Sequence, residues 1–207
     1  MRRSSMTLFS DPTCQYSHRV RIVLAEKGVT VDIEDIDQNS VTEEILEANP
    51  YGTLPTLVDR DFALYQSTVV MEYLDERFPH PPLLPVYPVA RAESRLWIYR
   101  IERDWCVLID QIRGSTESNE ADAARKELKE SLISIATIFD DMPYFMSEEF
   151  TLVDCCLAAM LWRLPELGIT LPINRQVKPL HDYMNRLFDR PCFQESLTDL
   201  EREIHEV

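Results

Sequence analysis

Three places in the chain put chemically capable side chains where a fold can use them. Cys14 stands between a short β-prone run, Met6-Thr7-Leu8-Phe9-Ser10, and a helically spaced run that begins near Ser17. A helix N-terminus lowers the pKa of a thiol. Cys14-Gln15-Tyr16-Ser17 has the outline of a C-x-x-C redox motif whose second cysteine is a serine. Such a thiol forms a mixed disulfide but has no resolving partner beside it; the other reading is an unreactive thiol near a loop. In Leu54-Pro55-Thr56 a proline opens a strand, where its missing N–H costs no ladder bond. A cis bond there leaves the backbone N–H and C=O of Leu54 free to pair with a peptide-like ligand, whereas a trans bond makes an ordinary turn. Gln66-Ser67 opens a later helix, whose free N–H groups and dipole favour a carboxylate. The competing reading of Ser67 is a plain N-cap.

These side chains need elements to hold them. Residues 17–27 carry Val20, Val23 and Leu24 at helical spacing and stop at Gly28. Residues 31–36 alternate apolar with acidic, the period of a half-buried strand. Residues 42–48 read as a short helix. Two β-prone runs, 54–59 and 62–65, are separated only by Arg60-Asp61 and read as a hairpin. Ser67 then caps a helix with the stripe Val70, Leu74, Phe78. The order β-α-β-α-β-β-α, with the cis-proline position just before the hairpin, predicts a thioredoxin-like α/β domain over residues 1–79.

Residues 79–88 hold five prolines in ten positions and read as an extended, semi-rigid linker over 80–88. His80 sits in it between Pro79 and Pro81, with Tyr87 further on. Proline-held segments are good recognition surfaces because little entropy is lost on binding; a rigid linker with an incidental histidine is the plainer alternative. Beyond it strand signals vanish. Helical spacing in Trp97–Ile112, Leu128–Phe139, Val153–Leu164 and Leu180–Phe188, with a short run at 198–205, predicts an all-α domain over 89–207. Thr151-Leu152-Val153-Asp154 is a capping-box pattern, a folding signal without chemistry.

Composition narrows function. A net charge of -15 repels phosphate backbones, which argues against direct nucleic-acid binding and suits a basic protein partner or plain solubility. Five cysteines, an odd number without a C-x-x-C pair, argue against a disulfide framework or a zinc site. No run of apolar residues is long enough to span a membrane, and the basic start Met1-Arg2-Arg3-Ser4-Ser5 lacks an apolar signal core, so a cytoplasmic protein is expected.

Longer stretches carry a resemblance. Ser17-His18-Arg19-Val20-Arg21-Ile22-Val23-Leu24-Ala25-Glu26-Lys27-Gly28, then Met71 through Pro82 (MEYLDERFPHPP), Leu84 through Arg91 (LPVYPVAR), Leu152-Val153-Asp154-Cys155 and Leu161-Trp162-Arg163-Leu164-Pro165 make the chain similar to the stringent starvation protein A family, bacterial relatives of glutathione transferases. The resemblance covers nearly the whole chain, and the Pro-His-Pro linker is its most specific part. It implies a glutathione-transferase-like fold without transferase activity. It also implies association with RNA polymerase holoenzyme and its primary sigma factor in starvation and acid-stress transcription, through Pro79, His80, Pro81 and Tyr87. A homodimer or paralogue heterodimer is expected by fold analogy, with helices from about residue 89 to 140 at the seam. Two departures, Cys14 where the family usually has a non-thiol residue and Gln66 where it often has Glu, leave glutathione possible as a ligand of Cys14, Leu54, Pro55, Gln66 and Ser67. The alternative function is therefore a glutathione-dependent thiol transferase or reductase using Cys14.

Overall fold

The computed structural model describes residues 6–205; the basic start, Met1 to Ser5, lies outside them. The described chain divides into two compact units.

The first unit opens with strand β1 (Met6–Ser10), helix α1 (Gln15–Lys27) and strand β2 (Asp32–Asp35). Strands β1 and β2 pair in parallel, so α1 is the crossover that such a pair requires. Gly28 ends α1 in the left-handed conformation, φ 61°, where its N–H bonds the Ala25 carbonyl. A turn of 3-10 helix (Gln38–Ser40) and helix α2 (Glu43–Ala48) lead to the hairpin β3 (Thr56–Asp59) and β4 (Phe62–Tyr65). Helix α3 (Ser67–Arg77) closes the unit, and the sheet order is β2-β1-β3-β4. Beneath the sheet Phe9, Ile45 and Leu54 form one core cluster, with Ile36, Val41 and Val58 packed on it.

Two local expectations are corrected here. The alternating segment 31–36 forms its strand, but all four residues of β2 are exposed, Ile33 included at 47%. The strand lies at the sheet's edge, and its acidic side chains guard that edge. Ser67 does not cap α3: Gln66 holds the cap position, and Ser67 is the first helical residue.

The second unit is helical. Helix α4 (Pro88–Ile101) starts with proline at its first position, where the missing N–H is harmless. A π-helical turn (Glu102–Cys106) separates it from α5 (Val107–Gly114), so the single long helix expected from the spacing carries one extra residue in its middle. Helix α6 (Ser118–Ile135) follows and tightens into a 3-10 turn (Ala136–Asp140). Every residue of α7 (Leu152–Leu161) is buried, as expected of a helix apolar around much of its girth. Helix α8 (Lys178–Phe188) packs beside it.

The units divide between Pro82 and Leu83, inside the proline-rich segment. The end of the chain departs from the expected partition. Helix α9 (Pro191–Ser196), too short to leave a periodic signal, belongs with the first unit, as does the chain up to Arg202, midway along α10 (Asp199–His205). The reason is a buried polar network on α1. Arg21 reaches Glu201 at 2.6 Å, Ser10 Oγ at 2.6 Å and the Ser196 carbonyl at 3.0 Å, and His18 Nε2 meets Ser196 Oγ at 3.0 Å.

Candidate functional site

The first candidate site is the corner where β1 ends, β3 begins and α3 starts. Asp11 organises the approach: its Oδ1 accepts from Thr13 N at 2.8 Å and from Cys14 N at 3.0 Å, and Ser17 Oγ accepts from Asp11 N at 3.0 Å. Cys14 is thereby fixed at the cap position of α1, half-buried, with its sulfur making no capping bond. Leu54-Pro55 is cis, as the fold requires of this proline. Gln66 stands at φ 71°, a conformation few non-glycine residues adopt, and delivers the chain into α3. Ser67 is 1% exposed and its hydroxyl has no hydrogen-bond partner among the described residues. A buried hydroxyl at a helix N-terminus, without a partner among the described residues, suits a carboxylate ligand.

The backbone of Leu54 departs from the expectation that it is free. Its N–H donates to Gln38 Oε1 at 3.1 Å, while Gln38 Nε2 donates to the Gly52 carbonyl at 2.9 Å. The Gln38 carboxamide therefore lies along residues 52–54 as a short piece of partner strand would, on one of the groups that a peptide-like ligand needs. Nothing in the sequence marks Gln38; it sits in an exposed turn and finds Leu54 only through the fold. For glutathione the corner thus fits in part: Ser67 is ready for a carboxylate, and Leu54 N–H is already engaged. Among the described residues no group of three or more His, Cys, Asp or Glu side chains can hold a metal ion.

The second candidate site is the proline-rich segment. Pro79, His80, Pro81 and Pro82 are all exposed, and the segment bends at His80 and Pro81, whose bond is cis, where the proline content alone reads as extended. In the first unit it is held from below: the buried Lys27 ammonium bonds the Pro81 carbonyl and pairs with Asp75 at 2.6 Å. In the second unit Leu83 and Leu84 are buried, and Leu152 N donates to the Leu83 carbonyl at 2.8 Å. Tyr87, 79% exposed, occupies the cap position of α4 between Val86 at 80% and Val89 at 72%. In each unit these exposed side chains lie on backbone held by buried partners of that unit, the arrangement of a recognition surface. Lys27, like Gln38, escapes a reading of the sequence: it looks like an ordinary basic residue in a helix's last turn.

The chain matches two family models, Glutathione S-transferase, N-terminal domain over residues 8–82 and Glutathione S-transferase, C-terminal domain over residues 96–191. It is 53% identical over 207 residues to a stringent starvation protein A homolog of Coxiella burnetii, covering 100% of this chain and 98% of that protein. A homolog of the same description from Pasteurella multocida is 55% identical over 196 residues, 95% of this chain and 92% of its own length. A rice glutathione S-transferase solved in complex with glutathione superposes with a TM-score of 0.84 at 21% identity, covering 99% of this chain and 96% of that one, a likeness of fold.

Proposed function

Because the chain belongs to the stringent starvation protein A family, we propose that it is an RNA polymerase-associated transcription regulator of starvation or acid stress. In this reading it binds the sigma factor and holoenzyme without transferase catalysis and works in the cytoplasm. The observation that carries the reading is the exposed Pro79-His80-Pro81 turn, held from beneath by a buried lysine. With Tyr87 it presents an aromatic ring and an imidazole at little entropic cost on binding. The net charge of -15 favours a basic protein surface over DNA as the partner. Affinity capture of holoenzyme by the wild type and by His80→Ala tests this. Wild-type capture with a loss of about tenfold or more in the variant supports it; equal capture removes the role given to His80, and no capture by either removes the reading.

A dimer, of this chain or with a paralogue, is part of the same proposal. Val89, Leu96 and Tyr99, 72%, 58% and 55% exposed, fall on one face of α4 and offer an apolar seam. Sedimentation of the wild type at monomer mass would remove it.

One observation favours a second reading. The buried, unpartnered Ser67 hydroxyl beside cis-Pro55, with Gln66 next to it and Cys14 at the cap of α1, supports a site for glutathione and hence a thiol transferase or reductase using Cys14. Calorimetry with glutathione separates a competent corner from a blocked one. Gln38→Ala frees Leu54 N–H and is expected to bind glutathione about tenfold more tightly than the wild type. Absence of binding by both proteins at millimolar glutathione eliminates this reading, and unchanged disulfide reduction by Cys14→Ser eliminates the thiol chemistry.

A further inference from the structure

We propose that Lys27 is a positioning residue for the partner-binding turn: by holding the Pro81 carbonyl from inside the first unit, it sets the conformation in which His80 is presented. The inference rests on the reading that residues 79–81 meet a protein partner.

Three observations lead to it. The Lys27 side chain is fully shielded, at 0% exposure, and its only charged partner among the bonds described is Asp75, itself 5% exposed. A lysine in the last turn of a helix gains from the dipole while remaining in water, so helix stability alone gives no reason to bury it. The second acceptor explains the placement. The same ammonium bonds the backbone carbonyl of Pro81, 54 residues away in the exposed turn.

The third observation is what the turn lacks. Pro79, Pro81 and Pro82 have no N–H, so three of its four residues can accept hydrogen bonds but cannot donate one. A segment of this composition cannot be fixed by its own backbone donors. It has to be fixed by a donor supplied from elsewhere, aimed at a carbonyl. A buried ammonium is the strongest donor available, because it is charged and screened from water. Asp75 serves the ammonium, since an unpaired charge could not remain buried. Asp75 lies on α3, one turn before the segment begins, and Lys27 closes α1, so the clamp ties the turn to α1 and α3 at once.

Two variants of the full chain separate this role from a merely structural one. Lys27→Met with Asp75→Leu removes both charges together and leaves no lone buried ion, but it leaves the Pro81 carbonyl without its donor. Asp75→Asn keeps the ammonium and its bond to Pro81 while weakening the ion pair. Each is read by thermal midpoint, by the NMR signals of the His80 imidazole and by affinity for polymerase holoenzyme. The double variant is expected to shift the His80 signals and to bind about tenfold more weakly, because the presented conformer is no longer the dominant one. Asp75→Asn is expected to melt lower, yet to keep the wild-type His80 signals and an affinity within about twofold. Wild-type His80 signals or wild-type affinity in the double variant overturns the proposal. Affinity that follows the thermal midpoint across the variants, and not the Pro81 contact, overturns it too. If the wild type binds no holoenzyme, the partner reading falls and the His80 signals alone decide the positioning role.

Discussion

Replacing Asp154 by alanine is expected to cost about 3–4 kcal/mol of stability, the largest loss from any single truncation in the second unit. The carboxylate is fully buried and takes four bonds. Its Oδ1 accepts from Phe145 N at 2.9 Å and from the Tyr183 hydroxyl at 2.7 Å. Its Oδ2 accepts from Thr151 N at 2.8 Å, the Asp154 half of the capping box of α7, and from Thr151 Oγ at 3.0 Å. Alanine strands four donors in a fully buried interior. Asparagine fares little better, because its amide nitrogen must face one pair of donors. Thermal unfolding should show a fall of roughly 10 °C for the alanine variant; a fall under a third of that would mean the cap is dispensable.

The same residue makes a pH prediction. Burial raises the Asp154 pKa above the ordinary carboxylate value, outweighing the hydrogen bonds from Phe145, Tyr183 and Thr151 that lower it. A carboxyl whose pKa is higher in the fold binds its proton more tightly there. Its contribution to stability is therefore greatest below the unfolded value of about 3.9, declines as pH rises from there to the folded value, and is constant beyond it. The stability difference between wild type and Asp154→Asn should shrink over that window as pH rises. A difference that grows with pH instead would mean that the four donors, and not burial, set the balance. Tyr183, raised well above its usual value by burial and by Asp154, remains a donor throughout.

Glu201→Ala is the second large effect. Its Oε1 meets Arg21 at 2.6 Å and His18 Nδ1 at 3.5 Å; its Oε2 accepts from Thr198 N at 3.0 Å. Both Arg21, 4% exposed, and Glu201 are buried, so truncation leaves a guanidinium without its counter-charge, at a cost of about 3 kcal/mol or more. The loss falls on the attachment of 191–202 to α1, so limited proteolysis should cut that segment in the variant while the wild type resists. Arg21→Met with Glu201→Leu should recover much of the loss, because no buried charge is then unpaired. Equal protease resistance in wild type and Glu201→Ala would show that the apolar contacts of α9, Phe193 among them, hold the segment unaided.

The fold was largely legible in the chain because its signals are local. The period of 2 in the strands, helical spacing in α1, α3 and α6 to α8, the Arg60-Asp61 hairpin turn and the Thr151 capping box all lie within a few residues of what they organise. The order of elements and one proline before a hairpin were enough for a thioredoxin-like domain followed by helices, and the stretch ending in Pro-His-Pro pointed to the family. The exposure of β2 was not legible: alternation marks a strand, but whether that strand is central or at the edge depends on how the other three pair. The π turn was missed because one extra residue barely disturbs an apolar stripe, and α9 because six residues carry no period.

The residues that decide how the sites are set were hidden for a common reason. Gln38 meets Leu54, Lys27 meets Pro81 and Arg21 meets Glu201 across 16, 54 and 180 positions of chain. No pattern of residue types at fixed spacing encodes such distances; only tertiary packing brings them together, that of α1 on α3 and α9 for the last two. The sequence by itself determined which side chains can bind and which elements carry them. Tertiary structure decided that the cis-proline corner has its Leu54 N–H already taken, and that the proline-rich turn is pinned by a buried ammonium, because hydrogen bonds over these separations exist only once the core has closed around them.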